Sequence, residues 1–399
     1  MRKLLFAPAD SRTSKAWESA LYSYKDTWEA HVVLDGAAAH KQLGEMEWDA
    51  VVSHLASESG TSLLIKAREC FPEAVRIGVV TPGRLRSPHP SFVHQVVAEP
   101  LDFKELKVAV ERSCRLRDLL RGERICQIVG ELGELPSAPS VYLELVEKLN
   151  RQETSIGEIA EIIEGDGGTS ARLLQLVNSI IFRTTREIVT VKMAASFLGL
   201  DVIKNVVLSM EAFQAFQKIP TIPGFSLDEL QAHCRLTAAI AGRMQLSNDV
   251  RDAAIVGALL HDIGKLVLAY KMPDRFARLV AHAEAEQKPL YQAEEELWGI
   301  THAEVGAYLL GLWGLPLRVT EAIAYHHAPS TVPHQRFDGL AALYVANLLA
   351  HEHEGDANER AWDLPFLESV GVLGRLPDWK AMAREMALAQ QEAVSVRSK

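Results

Sequence analysis

The sequence predicts two units of different class: an α/β unit built on a doubly wound parallel sheet, followed by an all-α bundle. Three observations predict it. Residues 1 to about 105 alternate short apolar runs with amphipathic stretches, the pattern of strands joined by crossover helices. Almost every later segment repeats its apolar residues at the helical period. At 399 residues the chain is also longer than one ordinary core supports.

In the first unit, strands are expected at residues 3–7, 30–34, 50–54, 76–80 and 95–98, with crossover helices at 14–24, 37–43, 62–70 and 87–92. Five strands in about one hundred residues is a flavodoxin-like count. The order and the flanking residues resemble the receiver domain of bacterial response regulators. Members of that family hold Mg²⁺ with an acidic pair after the first strand and accept phosphate on an aspartate ending the third. A lysine before a proline near the fifth strand completes their site. Here the first strand runs into Ala7-Pro8-Ala9-Asp10, the third ends at His54, and the proline follows Glu99, while Thr81 fits the hydroxyl position after the fourth. The resemblance therefore implies a receiver-like module without the nucleophile and the cation that aspartyl phosphorylation needs.

Residues 103–121 carry Leu106, Val110, Cys114 and Leu120 among charges, a helix that closes the first unit, extends into a linker and could pair two protomers. Pro136 and Pro139 favour extended backbone after it. Apolar stripes follow at Tyr142, Leu145, Val146 and Leu149, and at Ile156, Ile159, Ile162 and Ile163. Further helices are expected at 171–178, capped by Thr169 or Ser170, and at 191–198, 202–216, 227–244, 253–271, 275–286, 294–313, 318–326 and 339–353. A helix at 379–392 reads as an appendage, with a disordered tail at 395–399. The expected boundaries are 1–122, 123–355 and 356–399.

Composition narrows the function. Cys70, Cys114, Cys126 and Cys234 form no C-x-x-C pair, which argues against a disulfide framework and a thiolate zinc site. The apolar run after Met1-Arg2-Lys3 stops at Pro8, too short for a signal peptide or a membrane span. A cytoplasmic protein without membrane association is expected. The net charge is −10, and residues beyond 125 carry 24 Lys and Arg against 35 Asp and Glu. With no basic stripe and no helix-turn-helix, direct nucleic-acid binding is not expected.

The chemistry concentrates in the helical half. His233, the neighbours His261-Asp262, His302 and the pair His326-His327 supply imidazoles and a carboxylate, the mixture that binds a divalent cation without thiolates. Glu229 lies one turn before His233, and Lys265 one turn beyond His261. These residues resemble the HD superfamily of metal-dependent phosphohydrolases, named for its His-Asp doublet. The resemblance implies metal ligation by His233, His261, Asp262 and the residue at 347, where Asn347 replaces the family's aspartate. It gives His302, His326 and His327 to a second metal, as in the branch that hydrolyses cyclic di-GMP, although that branch's Gly-Tyr-Pro element is absent after His327.

Residues 130–330 resemble the HDOD branch more closely. The segments that carry it are Leu135-Pro136-Ser137-Ala138-Pro139, Ile159 to Asp166, Leu173 to Ser179, Phe197-Leu198-Gly199-Leu200, Gly257 to Leu266, and Trp313-Gly314-Leu315-Pro316. That branch occurs mainly in bacterial signalling proteins, often fused to receiver-like modules. The resemblance implies a signal-transduction protein whose helical domain binds a signalling protein or a small nucleotide, with pairing through the receiver-like unit and linker helix. The alternative is a metal-dependent phosphohydrolase in which Mn, Fe, Mg or Zn sits among these ligands, with Glu229 as a further ligand and Lys265 steadying a phosphate oxygen. A neutral amide at 347 does not neutralise a cation and so lowers cation affinity, and this favours binding over turnover.

Overall fold

The computed structural model describes residues 1–397 apart from 35, 72–73, 81–91, 133–134, 150–153, 180, 183, 185, 217, 335 and 355–361, with side chains as far as residue 386. The chain divides into two compact units, Met1–Asp118 and Leu119–Lys399.

In the first unit, β1 (Arg2–Ala7), β2 (Trp28–Val32), β3 (Ala50–His54), β4 (Val75–Val80) and β5 (Gln95–Ala98) form one parallel sheet in the order β2-β1-β3-β4-β5. Helices α1 (Ser11–Leu21) and α4 (Phe103–Leu120) cover one face, while α2 (Gly36–Leu43) and α3 (Glu58–Cys70) cover the other. Leu4, Phe6, Val52 and Ile77 face the first pair, and Leu5 and Val51 the second. Burial on both faces is why these strands read as continuous apolar runs. The sheet fits a receiver-like fold. β2 starts two residues earlier than the apolar run suggested, because Trp28 is drawn into the core while Leu34 is 47% exposed. Thr81 and nearly all of the expected helix at 87–92 lie outside the described residues.

The phosphoacceptor position is filled. His54 is buried, its ring stacked on Trp17 at 5.0 Å and its Nδ1 3.4 Å from a Glu99 oxygen. Asp10 is spent as the α1 cap, accepting from the Thr13 N–H at 2.8 Å.

At the opposite end of the sheet, Asp49 accepts from the Lys3 N–H at 2.9 Å and from Arg2 and Arg117 at 3.3 and 2.7 Å. Burial pushes its carboxyl up, but the Arg117 and Lys3 hydrogen bonds outweigh burial and hold it below the ordinary value. A depressed folded pKa adds stability above the unfolded pKa and loses it as pH falls through the folded value. Asp49→Asn is therefore expected to flatten the acid limb of stability below about pH 4, read by urea melts across pH.

The second unit is helical. Its elements are α5 (Glu123–Leu132), α6 (Ser140–Leu149), α7 (Ile156–Glu164), α8 (Gly167–Val177), α9 (Val191–Leu198), α10 (Leu200–Ala215) and α11 (Leu227–Arg243). They continue with α12 (Asn248–Leu260), α13 (Ile263–Lys271), α14 (Pro273–Ala285), α15 (Leu290–Trp298), α16 (His302–Leu312) and α17 (Leu317–Ala324). The last three are α18 (Gly339–Glu354), α19 (Leu364–Ser369) and α20 (Leu376–Arg397).

Two expected helices are each broken in two. The 253–271 segment divides at His261-Asp262, where Asp262 leaves helical geometry at φ −98°, ψ 8°. The doublet thus caps two helices instead of riding within one. The 294–313 segment divides because Gly299 ends α15 in the left-handed region at φ 66°, and Thr301 with Glu304 forms a capping box that starts α16. At the C-terminus α20 runs to Arg397, through part of the segment expected to be a disordered tail. Phe366, Leu367, Val370, Trp379 and Ala383 are buried in the same core as α11, α12 and α18.

The alanines Ala238 and Ala241 of α11, Ala254 and Ala258 of α12, and Ala342, Ala346 and Ala350 of α18 lie in that core. Their small side chains let the three backbones approach closely, which brings α11, the end of α12 and α18 to one point. Asn248–Lys271 contains an 18-residue window apolar enough for a membrane span, but 94% of that window is buried inside the unit.

Candidate metal centre

Five backbone segments of the helical unit converge. His233 projects from α11, His261-Asp262 from the α12–α13 break, His302 from the first turn of α16, His326-His327 from the end of α17, and Asn347 from α18. His261, Asp262, His302 and His326 are fully buried, and His233 and Asn347 nearly so.

Each of four imidazoles is held from behind. His233 Nδ1 donates to Glu354 Oε2 at 2.7 Å and His302 Nδ1 to Glu294 Oε2 at 2.6 Å. His261 Nδ1 donates to the Ala258 carbonyl at 2.8 Å and His326 Nδ1 to the Ile323 carbonyl at 2.7 Å. All four therefore turn Nε2 inward. Outer groups fix tautomer and orientation in this way around a metal.

Asp262 stands at the middle of the inner side. Its Oδ2 lies 2.7 Å from Lys265 Nζ and 3.5 Å from His261 Nε2. Its Oδ1 lies 3.1 Å from His302 Nε2 and 3.9 Å from His326 Nε2. Two ligand groups share it: His233, His261 and Asp262, and Asp262, His302, His326 and His327, each with ligand atoms within 4.8 Å of one another. His327 Nε2 is 3.1 Å from His302 Nε2, and the Tyr291 ring stacks on His327 at 4.1 Å.

This arrangement fits a divalent cation. His326 Nε2 and Asp262 Oδ1 are buried without a hydrogen-bond partner, the latter close to His302 but not aligned with it. His233 Nε2 and His261 Nε2 face each other at 3.2 Å. Donor atoms this close to one another suit ligands about 2.0–2.1 Å from a shared ion.

Electrostatics agree with that fit for His261, His326 and His327, whereas His233 and His302 must release a proton to ligate. Burial pushes His261 down to about 4 and holds His326 and His327 well below the ordinary range, which keeps these rings in the neutral form that ligates. For His302, burial pulls down, but the Glu294 charge outweighs it and raises the ring to about 9. His233 is likewise raised, the Glu354 carboxylate outweighing burial. Burial also disfavours Asp262 as a carboxylate, yet His261 and Lys265 hold it ionised well below the usual value.

Of the residues singled out from sequence, His233, His261, Asp262, Lys265, His302, His326, His327 and Asn347 are brought together. Glu229 is not: it is exposed on the first turn of α11, outside the ligand groups. Lys265 reaches the cluster, but as the counter-ion of Asp262. Asn347 Oδ1 faces His233 Nε2 at 2.8 Å, where a carboxylate would face the cation.

Three participants were missed. Glu294 is fully buried and grips His302 twice, accepting from its backbone N–H at 2.8 Å as well as from Nδ1. His351 and Glu354 follow Asn347 at one and two turns on the same stripe of α18. Because Glu294 both orients His302 and raises its basicity, Glu294→Gln is expected to weaken divalent-cation binding about 10–100-fold in a chelator-competition titration.

A helical bundle that closes on a His-Asp doublet, with imidazoles arriving from further helices, is the architecture expected of HD-type proteins. Residues 135–329 match the HDOD domain, and the chain accordingly carries an HDOD domain in its helical unit. It is similar to an HDOD domain protein of unknown function from Geobacter sulfurreducens, with 27% identity, 71% of this chain and 96% of that one covered, and a TM-score of 0.50. The fold is shared with a provisional phosphohydrolase from Shewanella amazonensis SB2B, at 23% identity, TM-score 0.50, and coverage of 68% and 99%. A provisional signal-transduction protein from Marinobacter aquaeolei VT8 also shares it, at 20% identity, TM-score 0.51, and coverage of 75% and 70%. An uncharacterized protein of Treponema pallidum (strain Nichols) is 24% identical over 233 residues, 57% of this chain, and the match spans only 44% of that relative's length.

Proposed function

We propose that this chain is a signal-transduction protein whose helical unit is a cation-dependent binding module, coupled to a receiver-like unit that does not accept phosphate. The observation that carries this reading is the charge on the inner side of the cluster. Among the described residues one carboxylate, Asp262, stands there, already paired with Lys265 at 2.7 Å, and the residue facing His233 is the neutral Asn347. One anionic ligand offsets only half of a divalent cation's charge, so the ion is held less tightly than it would be with a second carboxylate at 347.

The filled acceptor position at His54 supports the same reading for the first unit. A signalling protein or a small nucleotide is the proposed partner, with protomers pairing through the receiver-like unit and α4. The orienting groups behind four imidazoles favour a second reading, a metal-dependent phosphohydrolase. A divalent ion held there would supply a water of lowered pKa and a Lewis-acid contact to phosphate.

Asn347→Asp separates the two readings. Restoring a carboxylate is expected to raise Mn²⁺ or Zn²⁺ affinity at least about tenfold, roughly 1.4 kcal/mol, and to introduce phosphodiester turnover absent from the wild type. Metal-dependent turnover by the wild type, abolished in His261→Ala, would establish the hydrolase instead.

A further inference from the structure

The ligands of the candidate centre are buried apart from His327, which is partly exposed, and the cluster also approaches solvent beyond His233. Beyond the His233 ring lie His351 and Glu354 of α18. The His351 ring centroid is 4.3 Å from that of His233, Glu354 Oε2 is 2.7 Å from His233 Nδ1, and His351 Nδ1 is 3.8 Å from the same oxygen. The three residues present ligand atoms that all lie within 4.8 Å of one another. Exposure falls inward along this path, with side-chain values of 33% for Glu354, 10% for His351 and 7% for His233, then zero for His261 and Asp262.

We infer that His351, Glu354 and His233 form an outer divalent-cation site that captures the ion and delivers it to the buried centre. This rests on the metal reading of that centre. The chemistry of the set is two imidazoles and one carboxylate, suited to Zn²⁺, Co²⁺ or Mn²⁺. Its spacing comes from α18 itself, since i and i+3 residues share a helix face, and His233 completes it from α11. Glu354 carries the charge that draws a cation out of solvent, and its partial exposure leaves it reachable.

The shared residue makes the site a relay. His233 faces the outer set with Nδ1 and the inner one with Nε2, and ligation outside requires the Nδ1 proton held by Glu354 to move to Nε2, so a ring engaged outside is not engaged inside. An ion taken up by the outer set lies one imidazole away from His261 and Asp262. His302, His326 and His327 do not depend on His233, so the inner side can accept the ion once it has passed. Asn347, His351 and Glu354 on one stripe of α18 therefore mark a path from solvent to the doublet.

The test is stopped-flow loading of chelator-stripped full-length protein with Co²⁺, followed by the visible absorption of the coordinated ion. The wild type is expected to show a fast, concentration-dependent capture phase before slower filling. A His351→Ala variant, which leaves the Glu354 contact that orients His233 in place, is expected to reach the same final stoichiometry, but to fill about tenfold more slowly, since capture with one ligand fewer is about tenfold weaker. His261→Gln is expected to keep the fast phase and lose the slow one. Filling of His351→Ala at the wild-type rate overturns the capture site while leaving the centre standing. Absence of Co²⁺ uptake by the wild type overturns both. Should circular dichroism show that His261→Gln is unfolded, the His351→Ala variant decides alone.

Discussion

Asp262→Ala is expected to cost roughly 3–5 kcal/mol of folding stability and to abolish divalent-cation binding. The carboxylate is fully buried, and its Oδ2 takes the Lys265 ammonium at 2.7 Å. Removing it takes the doublet's negative charge away from a lysine that is itself 9% exposed and from the His261 and His302 rings around it. Breaking a buried pair costs more than the pair contributes, because the remaining charge stays in a poorly solvating place. Both ligand groups contain Asp262, so both are lost together. Urea unfolding with and without Mn²⁺ checks the two effects separately. The wild type should gain stability from the ion, as any ligand that binds only the folded state stabilises it, and the variant should gain none.

Gly264→Ala is the second large effect, expected to cost about 1–3 kcal/mol or more. A Cβ at Gly264 would meet the His302 carbonyl oxygen at 1.9 Å and the Gly306 nitrogen at 2.8 Å. Both obstacles are backbone, so no rotamer change relieves them, and α13 and α16 must move apart. His302 starts α16, and its Nε2 lies 3.1 Å from Asp262. Separating the helices therefore pulls one imidazole out of the cluster, and divalent affinity falls along with stability. Gly130→Ala in α5 is the control: nothing stands within 4 Å of the added carbon, and alanine there should be neutral or stabilising by up to about 1 kcal/mol. Denaturant midpoints and metal titrations of the two variants make the comparison.

The parallel sheet was legible because its strands are buried on both faces and stand out as short Val- and Leu-rich runs between amphipathic helices. The doublet was legible as a site but not as a helix break. Leu259-Leu260 and Ile263 keep the apolar run continuous across His261-Asp262, so periodicity alone carries one helix through the point where the chain turns. The Gly299 to Glu304 segment did carry its own signal, a left-handed glycine followed by a capping box, and an apolar-period reading overrides it.

The outer groups divide in the same way. His351 and Glu354 continue the stripe of Asn347 and could have been found by extending it one and two turns. Glu294 stands in a run of three glutamates, Glu294-Glu295-Glu296, and only the rotational phase of α15 in the folded bundle turns one of them inward.

The most direct test is anomalous diffraction from crystals of the full-length protein grown with millimolar Mn²⁺ or Zn²⁺. A peak about 2.0–2.3 Å from His261 Nε2 and an Asp262 oxygen, with the Asn347 side chain facing it, is the predicted result. Crystals that show no such peak, with Lys265 still closed on Asp262, would contradict the account.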